Sequence, residues 1–109
     1  MDLKEIIAFA ERTVGNKWGV WYARSEDMEK RIMASAMKLT EEAGELMEEI
    51  LGTLWLQRKS KEWQYTKESL ADEFADMILV AVRLARMMDV DIESAIDTKM
   101  KKIKARSNI

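Results

Sequence analysis

With 109 residues, 48% of them hydrophobic and 35% charged, the chain can bury one core and still dissolve, and a single domain over residues 1–109 is expected. It has no proline and four glycines, which disfavours a turn-rich β protein; no cysteine, which excludes disulfides and thiolate metal sites; and no histidine, which removes the usual general base and every Ser-His or Cys-His arrangement. A formal charge of −2 argues against nucleic acid as the main partner, no apolar run reaches the ~18 residues of a membrane span, no signal peptide is visible, and a cytoplasmic location is the default expectation.

In chain order, the first predicted helix runs from about Asp2, which can cap it, to Val14, with Gly15-Asn16 as its stop. Its apolar stripe is Leu3, Ile6, Ile7 and Ala10. Residues 17–24 form a connector holding Trp18, Trp21 and Tyr22, aromatics that can stack on a planar ligand or plug the end of a bundle, the commoner use. Ser25 then caps a long second helix with Glu26 and Asp27 in its first turn. Its predicted apolar stripe is Ile32, Met33, Ala36, Met37, Ala43, Met47, Ile50, Leu51 and Leu54, and its end falls between Gly52 and Arg58. Gly44 in mid-helix leaves room for a neighbouring helix or a ligand.

A polar connector with Trp63 and Tyr65 leads to Thr66, the cap of a third helix reaching about Met88. Its main stripe is Leu70, Phe74, Met77, Leu84 and Met87, widened by Ile78, Val80 and Ala81 until the middle is apolar all round. Asp89 or Asp91 starts a shorter fourth helix, Ile92 to about Lys104, with a basic tail from Lys99 to Arg106. Four helices with short connectors make an all-α, four-helix bundle-like fold. The nine methionines and four tryptophans are more than one thin layer can bury, so a homo-oligomer is expected.

Two stretches carry the chemistry. Glu41-Glu42-Ala43-Gly44-Glu45 and Glu73-Phe74-Ala75-Asp76 each repeat a carboxylate at i and i+3, on one helix face. Asp76 is the one polar side chain from Phe74 to Val82, and a buried acid needs a partner, a hydrogen bond or a cation. If the second and third helices pack antiparallel, Glu42 and Glu45 face Glu73 and Asp76. Four such carboxylates repel one another, which protonation or a divalent cation relieves. All ligands would be oxygen, which suits Mg²⁺ or Mn²⁺, and Mg²⁺ completes its shell with water and substrate phosphates. A ferritin-like di-iron site also needs histidines, so phosphate chemistry fits better. Acidic runs on helices are more often solvated faces, a reading that suits Glu41, Glu48 and Glu49 better than Glu73 and Asp76.

Lys38-Leu39-Thr40-Glu41-Glu42-Ala43-Gly44-Glu45-Leu46 followed by Asp72-Glu73-Phe74-Ala75-Asp76-Met77-Ile78 resembles the MazG-like, all-α nucleoside triphosphate pyrophosphohydrolases, whose signature is EExxE, a spacer and ExxD. The likeness runs on through Val90-Asp91-Ile92-Glu93-Ser94-Ala95-Ile96 into the basic tail, covering roughly residues 30 to 106. It implies a homodimer or homotetramer that hydrolyses an NTP or dNTP between the α and β phosphates with Mg²⁺. Glu42, Glu45, Glu73 and Asp76 would be metal ligands, and Glu41 would orient the water or a second metal. One of the glutamates, Glu41, Glu42 or Glu45, would take the water's proton. Lys38, Lys99 and Arg106 would hold phosphates, the last two from another subunit in one arrangement, and Trp18 or Trp21 would stack on the base. Nucleotide-pool housecleaning is the implied role.

Phosphoribosyl-ATP and dUTP pyrophosphohydrolases share such a site and are rival expectations, as is a non-catalytic helical interaction module. A membrane-surface role for the tail is disfavoured, because Met100 and Ile103 are its only large apolar residues before the terminal Ile109.

Overall fold

The computed structural model describes residues 1–18, 25–54 and 65–109, apart from the side chains of 14–18 and 25–27. Every regular element among them is helical: α1 (Leu3–Trp18), α2 (Ser25–Thr53), α3 (Lys67–Met87) and α4 (Ile92–Ser107). The Asp2 carboxylate accepts the Glu5 amide at 2.9 Å, the expected cap of α1. The expected stop at Gly15-Asn16 is corrected: α1 runs through both to Trp18. Glycine ends a helix by adopting a left-handed conformation, and no described glycine has positive φ; in mid-helix it costs only about 1 kcal/mol relative to Ala.

α3 begins with a reciprocal cap. The Ser69 amide donates to the Thr66 hydroxyl and the Thr66 amide to the Ser69 hydroxyl, both at 3.0 Å. It ends with the Val90 amide on the Ala85 carbonyl at 2.9 Å and the Asp89 amide on the Arg86 carbonyl at 3.1 Å, with Asp89 at φ 57°. That reversal leads straight into α4, whose cap is Asp91, accepting the Ser94 amide at 3.1 Å.

α2 and α3 are antiparallel neighbours. Pairs descend in step: the Ser35 hydroxyl donates to the Met87 sulfur at 3.1 Å, the Ser69 hydroxyl to Glu49 at 2.8 Å, and the Tyr65 hydroxyl to Glu48 at 3.4 Å. α1 lies against α3, tied by Glu11 and Arg86 at 3.3 Å. α4 barely touches α3 and buries none of its residues.

The core is thin. Its buried apolar side chains are Ala10, Val80, Val82 and Met87. The predicted stripe on α2 is corrected at Met33, Ala36, Met37, Met47 and Leu54, which are exposed, and that on α3 at Phe74, 47% exposed. Ile78, expected to widen that stripe, is exposed too. The radius of gyration is 17.0 Å, against about 13 Å for a compact chain of this length. No helix among the described residues is long and apolar enough to cross a membrane.

Candidate metal centre

The antiparallel register decides which carboxylates meet. Glu42 of α2 and Glu73 and Asp76 of α3 each offer one oxygen, and the three oxygens lie within 4.8 Å of one another. Glu42 is 4% exposed. Its Oε1 accepts Lys38 Nζ at 3.0 Å, while its Oε2 and Glu73 Oε2 are buried with no hydrogen-bond partner. Lys38 also reaches Glu41 Oε1 at 3.6 Å. Glu45 stands beside the cluster, close enough to Glu73 for its charge to bear on it.

Burial and mutual repulsion push Glu73, Asp76 and Glu45 up. Glu73 is raised by burial first, then by Glu45, Asp76 and Glu42. Asp76 is raised by burial, then by Asp72 and Glu42; Glu45 is raised by burial, then by Glu42 and Glu41. Lys38, lifted by its hydrogen bond to Glu42 and by the charge of Glu41, answers part of this negative charge but not the two orphaned oxygens. A divalent cation fits the donor set: all ligands are oxygen, they converge, and two carboxylate oxygens are available to it.

The cluster opens into a cavity of ≈ 370 Å³ walled by Phe9 and Thr13 of α1, Lys38 and Glu42 of α2, and Asp76, Leu79 and Arg83 of α3. Larger hollows lie along α4 and between α1 and α3, and none of them is lined by the clustered carboxylates. Arg83 and the α1 wall were not singled out from the sequence. The available signal for Arg83 was its place seven residues after Asp76, two turns along the same face of α3.

Of the other expected site residues, Glu41 is exposed at the rim. Glu48 and Glu49 are taken up by Tyr65 and Ser69 at the start of α3. Lys99 and Arg106 sit on the exposed α4, and neither lines the cavity. The side chain of Trp18, and Trp21 altogether, lie outside the described residues.

A family model described as the MazG nucleotide pyrophosphohydrolase domain matches residues 31–109. The chain belongs to the MazG family. The match takes in all three clustered carboxylates, Glu45, Lys38, Arg83 and the whole of α4. Nucleotide pyrophosphohydrolysis is thus the activity of the family, a nucleotide its class of substrate, and dependence on a divalent metal its general habit. No curated protein and no solved structure shows a significant match to this MazG-family chain.

Proposed function

We propose that this chain hydrolyses a nucleoside triphosphate, NTP or dNTP, between the α and β phosphates to the monophosphate and pyrophosphate, using Mg²⁺ or, as a substitute, Mn²⁺. The observation that carries the reading is the convergence of Glu42, Glu73 and Asp76 with two buried carboxylate oxygens unpartnered. These three residues and Glu45 would hold the cation. Once bound, it would neutralise polyphosphate charge and acidify a water for attack.

The chain's own groups do the rest. Glu45 stands beside Glu73, and burial with the charges of Glu42 and Glu41 raises its proton affinity, so it would take the proton of an attacking water once ionised. Glu41, at the rim, orients that water. Lys38 leaves part of its hold on Glu42 to meet substrate phosphate, and Phe9 and Leu79 exclude bulk solvent from one side. Trp18 and Trp21 stack on the base. The domain spans the whole chain, acts in the cytoplasm and clears unwanted nucleotides from the pool.

A second copy completes the enzyme. Met33, Met37, Thr40, Gly44, Met47, Leu51 and Leu54 follow one another at alternate spacings of four and three along α2, the spacing of a helix-helix seam. All but Leu51 are exposed, and a Cβ at Gly44 would meet nothing within 4 Å. The partner lays its α2 there and brings Lys99 and Arg106 of its α4 to the phosphates.

The test is pyrophosphate release from the eight common NTPs and dNTPs, with Mg²⁺ and with EDTA, for wild type and Asp76→Asn. Mg²⁺-dependent formation of monophosphate is expected. It should fall on the order of 10³-fold in the variant, the scale on which losing one preorganised electrostatic group acts. Release that survives EDTA or Asp76→Asn would sink the reading, as would cleavage of none of the eight. Preference for dUTP alone would place the chain with the dUTP-specific rivals.

A further inference from the structure

Arg83 is out of place by the ordinary rules of packing. Its Nε is buried and has no hydrogen-bond partner, and an arginine remains charged at any working pH. A buried donor without an acceptor is costly, more so on a charged group. The same cavity contains groups of the opposite sign. Glu42 and Asp76 line it with Arg83, and Glu42 Oε2 is equally buried and equally unpartnered. A direct ion pair would have satisfied both, yet the fold holds the guanidinium Nε and the carboxylate oxygen apart.

The register of α3 explains the separation. Asp76 and Arg83 lie two turns apart on one face, about 10 Å along the axis. Helical side chains lean toward the N-terminus, and Asp76 lies in that direction from Arg83. Two groups of opposite sign that line one cavity, each with a buried unpartnered atom, would both be satisfied by a species that is itself divided: a cation at the carboxylates, and an anionic oxygen attached to it at the arginine. A metal-bound phosphate has that form. The planar fork of a guanidinium suits phosphate oxygens.

We propose that Arg83 is a substrate-binding residue that grips a non-bridging oxygen of the metal-bound polyphosphate and so fixes it against the carboxylate centre. The assignment rests on the pyrophosphohydrolase reading above. It adds a cation from this chain's own α3 to those expected from α4.

The experiment uses the full chain with Mg²⁺ and inorganic tripolyphosphate, a probe that carries the phosphates and no base. Wild type, Arg83→Gln and Arg83→Lys are titrated with Mg²⁺ alone and then with tripolyphosphate at saturating Mg²⁺, and steady-state constants are measured on the best nucleotide. For Arg83→Gln we expect unchanged Mg²⁺ affinity, tripolyphosphate bound about ten-fold or more weakly, and KM raised more than kcat is lowered. The metal-free melting temperature should hold or rise, because a buried unpaired donor has gone; a merely structural arginine would lower it. Arg83→Lys, which keeps the charge and loses the fork, should fall between, and it supplies the comparison if glutamine prevents folding. Wild-type-like tripolyphosphate affinity and KM in both variants of an active enzyme would overturn the role of Arg83 alone. Equal loss of Mg²⁺ affinity would overturn it too, by showing that Arg83 acts through the carboxylates. A wild type that neither cleaves nucleotides nor binds tripolyphosphate overturns the pyrophosphohydrolase reading and this assignment with it.

Discussion

The two faces of α2 invert the usual order of a water-soluble helix. Toward α3 it presents Ser35, Glu42 and Glu49, the first two buried. About 200° round the helix it presents Met33, Met37, Gly44 and Met47 to the outside. An amphipathic helix normally buries the second kind of face and wets the first. The inner face carries Glu42 into the carboxylate cluster, and a cluster of acids cannot also be an oily core. That leaves four buried apolar side chains, Ala10, Val80, Val82 and Met87, to hold the described helices together. On the proposal above, a second copy would recover the missing apolar burial on the outer face. Function and stability would then lie on opposite sides of one helix.

The sharpest way to break this division is to charge the outer face. Met37 is 70% exposed within one chain, so a glutamate there should be harmless if the chain works alone. Buried in a seam between two copies, the same carboxylate would be unpaired and would cost several kcal/mol. We therefore expect Met37→Glu to raise the dissociation constant of the oligomer by about 10²-fold or more. Sedimentation over a range of concentrations measures it, and activity should fall in parallel as α4 of the partner is lost. A wild type that is monomeric at all concentrations would remove the second copy from the proposal.

The inner face is tested by pH. Glu73, Asp76 and Glu45 keep their protons in the folded chain to higher pH than ordinary carboxyls do, burial being the first cause in each. Between the ordinary carboxyl range, about pH 4, and those raised values, the folded state binds more protons than the unfolded state. Metal-free protein should therefore lose stability as pH rises through that window. Mg²⁺ binds only the ionised acids, so its stabilising effect should grow over the same interval. Melting curves from about pH 4.5 to about pH 7, in EDTA and in Mg²⁺, should diverge, and Glu73→Gln should flatten the EDTA curve. Asp91 works in the opposite sense: its carboxyl is held low by the Ser94 amide, so its contribution is lost on acidification. It lies outside the cluster, and Mg²⁺ should leave that loss untouched. Curves that stay parallel would mean that the acids do not hold the cation.

The helices, and the pairing of α2 with α3, were readable because local chemistry and long-range pattern agree there. Thr66, Asp91 and Asp2 cap the helices expected of them. Glu42, Glu73 and Asp76 meet because the i, i+3 spacing fixes their faces whatever else packs nearby. What was not readable is which apolar residues point inward. Met33, Met37 and Phe74 look like core in any single-chain reading, since hydrophobicity marks a buried face without saying which chain buries it. Arg83 was missed for a related reason: an arginine at the end of an apolar run reads as a solvent-facing charge until its Nε is seen buried, lining the same cavity as Glu42 and Asp76.

The finest test uses the two glycines of α2, eight residues and about 80° apart round the helix, Gly44 exposed and Gly52 buried. Alanine is the better helix former by about 1 kcal/mol, so propensity alone predicts a gain at both positions. At Gly52 a Cβ would lie 2.5 Å from three ring atoms of Tyr65, whose hydroxyl donates to Glu48. These atoms are at the base of the ring and cannot swing clear, and overpacking costs roughly 1–3 kcal/mol. We expect Gly52→Ala to be destabilising by about 1 kcal/mol, the overpacking cost less the propensity gain. At Gly44 a Cβ meets nothing within 4 Å in one chain. There the full gain should appear in dilute protein and, if the proposed second copy's α2 seats where the methyl would go, shrink as concentration rises. Urea unfolding of both variants at two protein concentrations separates these cases. A gain at Gly44 that does not depend on concentration would show that this part of the outer face stays open, and that any seam must run elsewhere on α2.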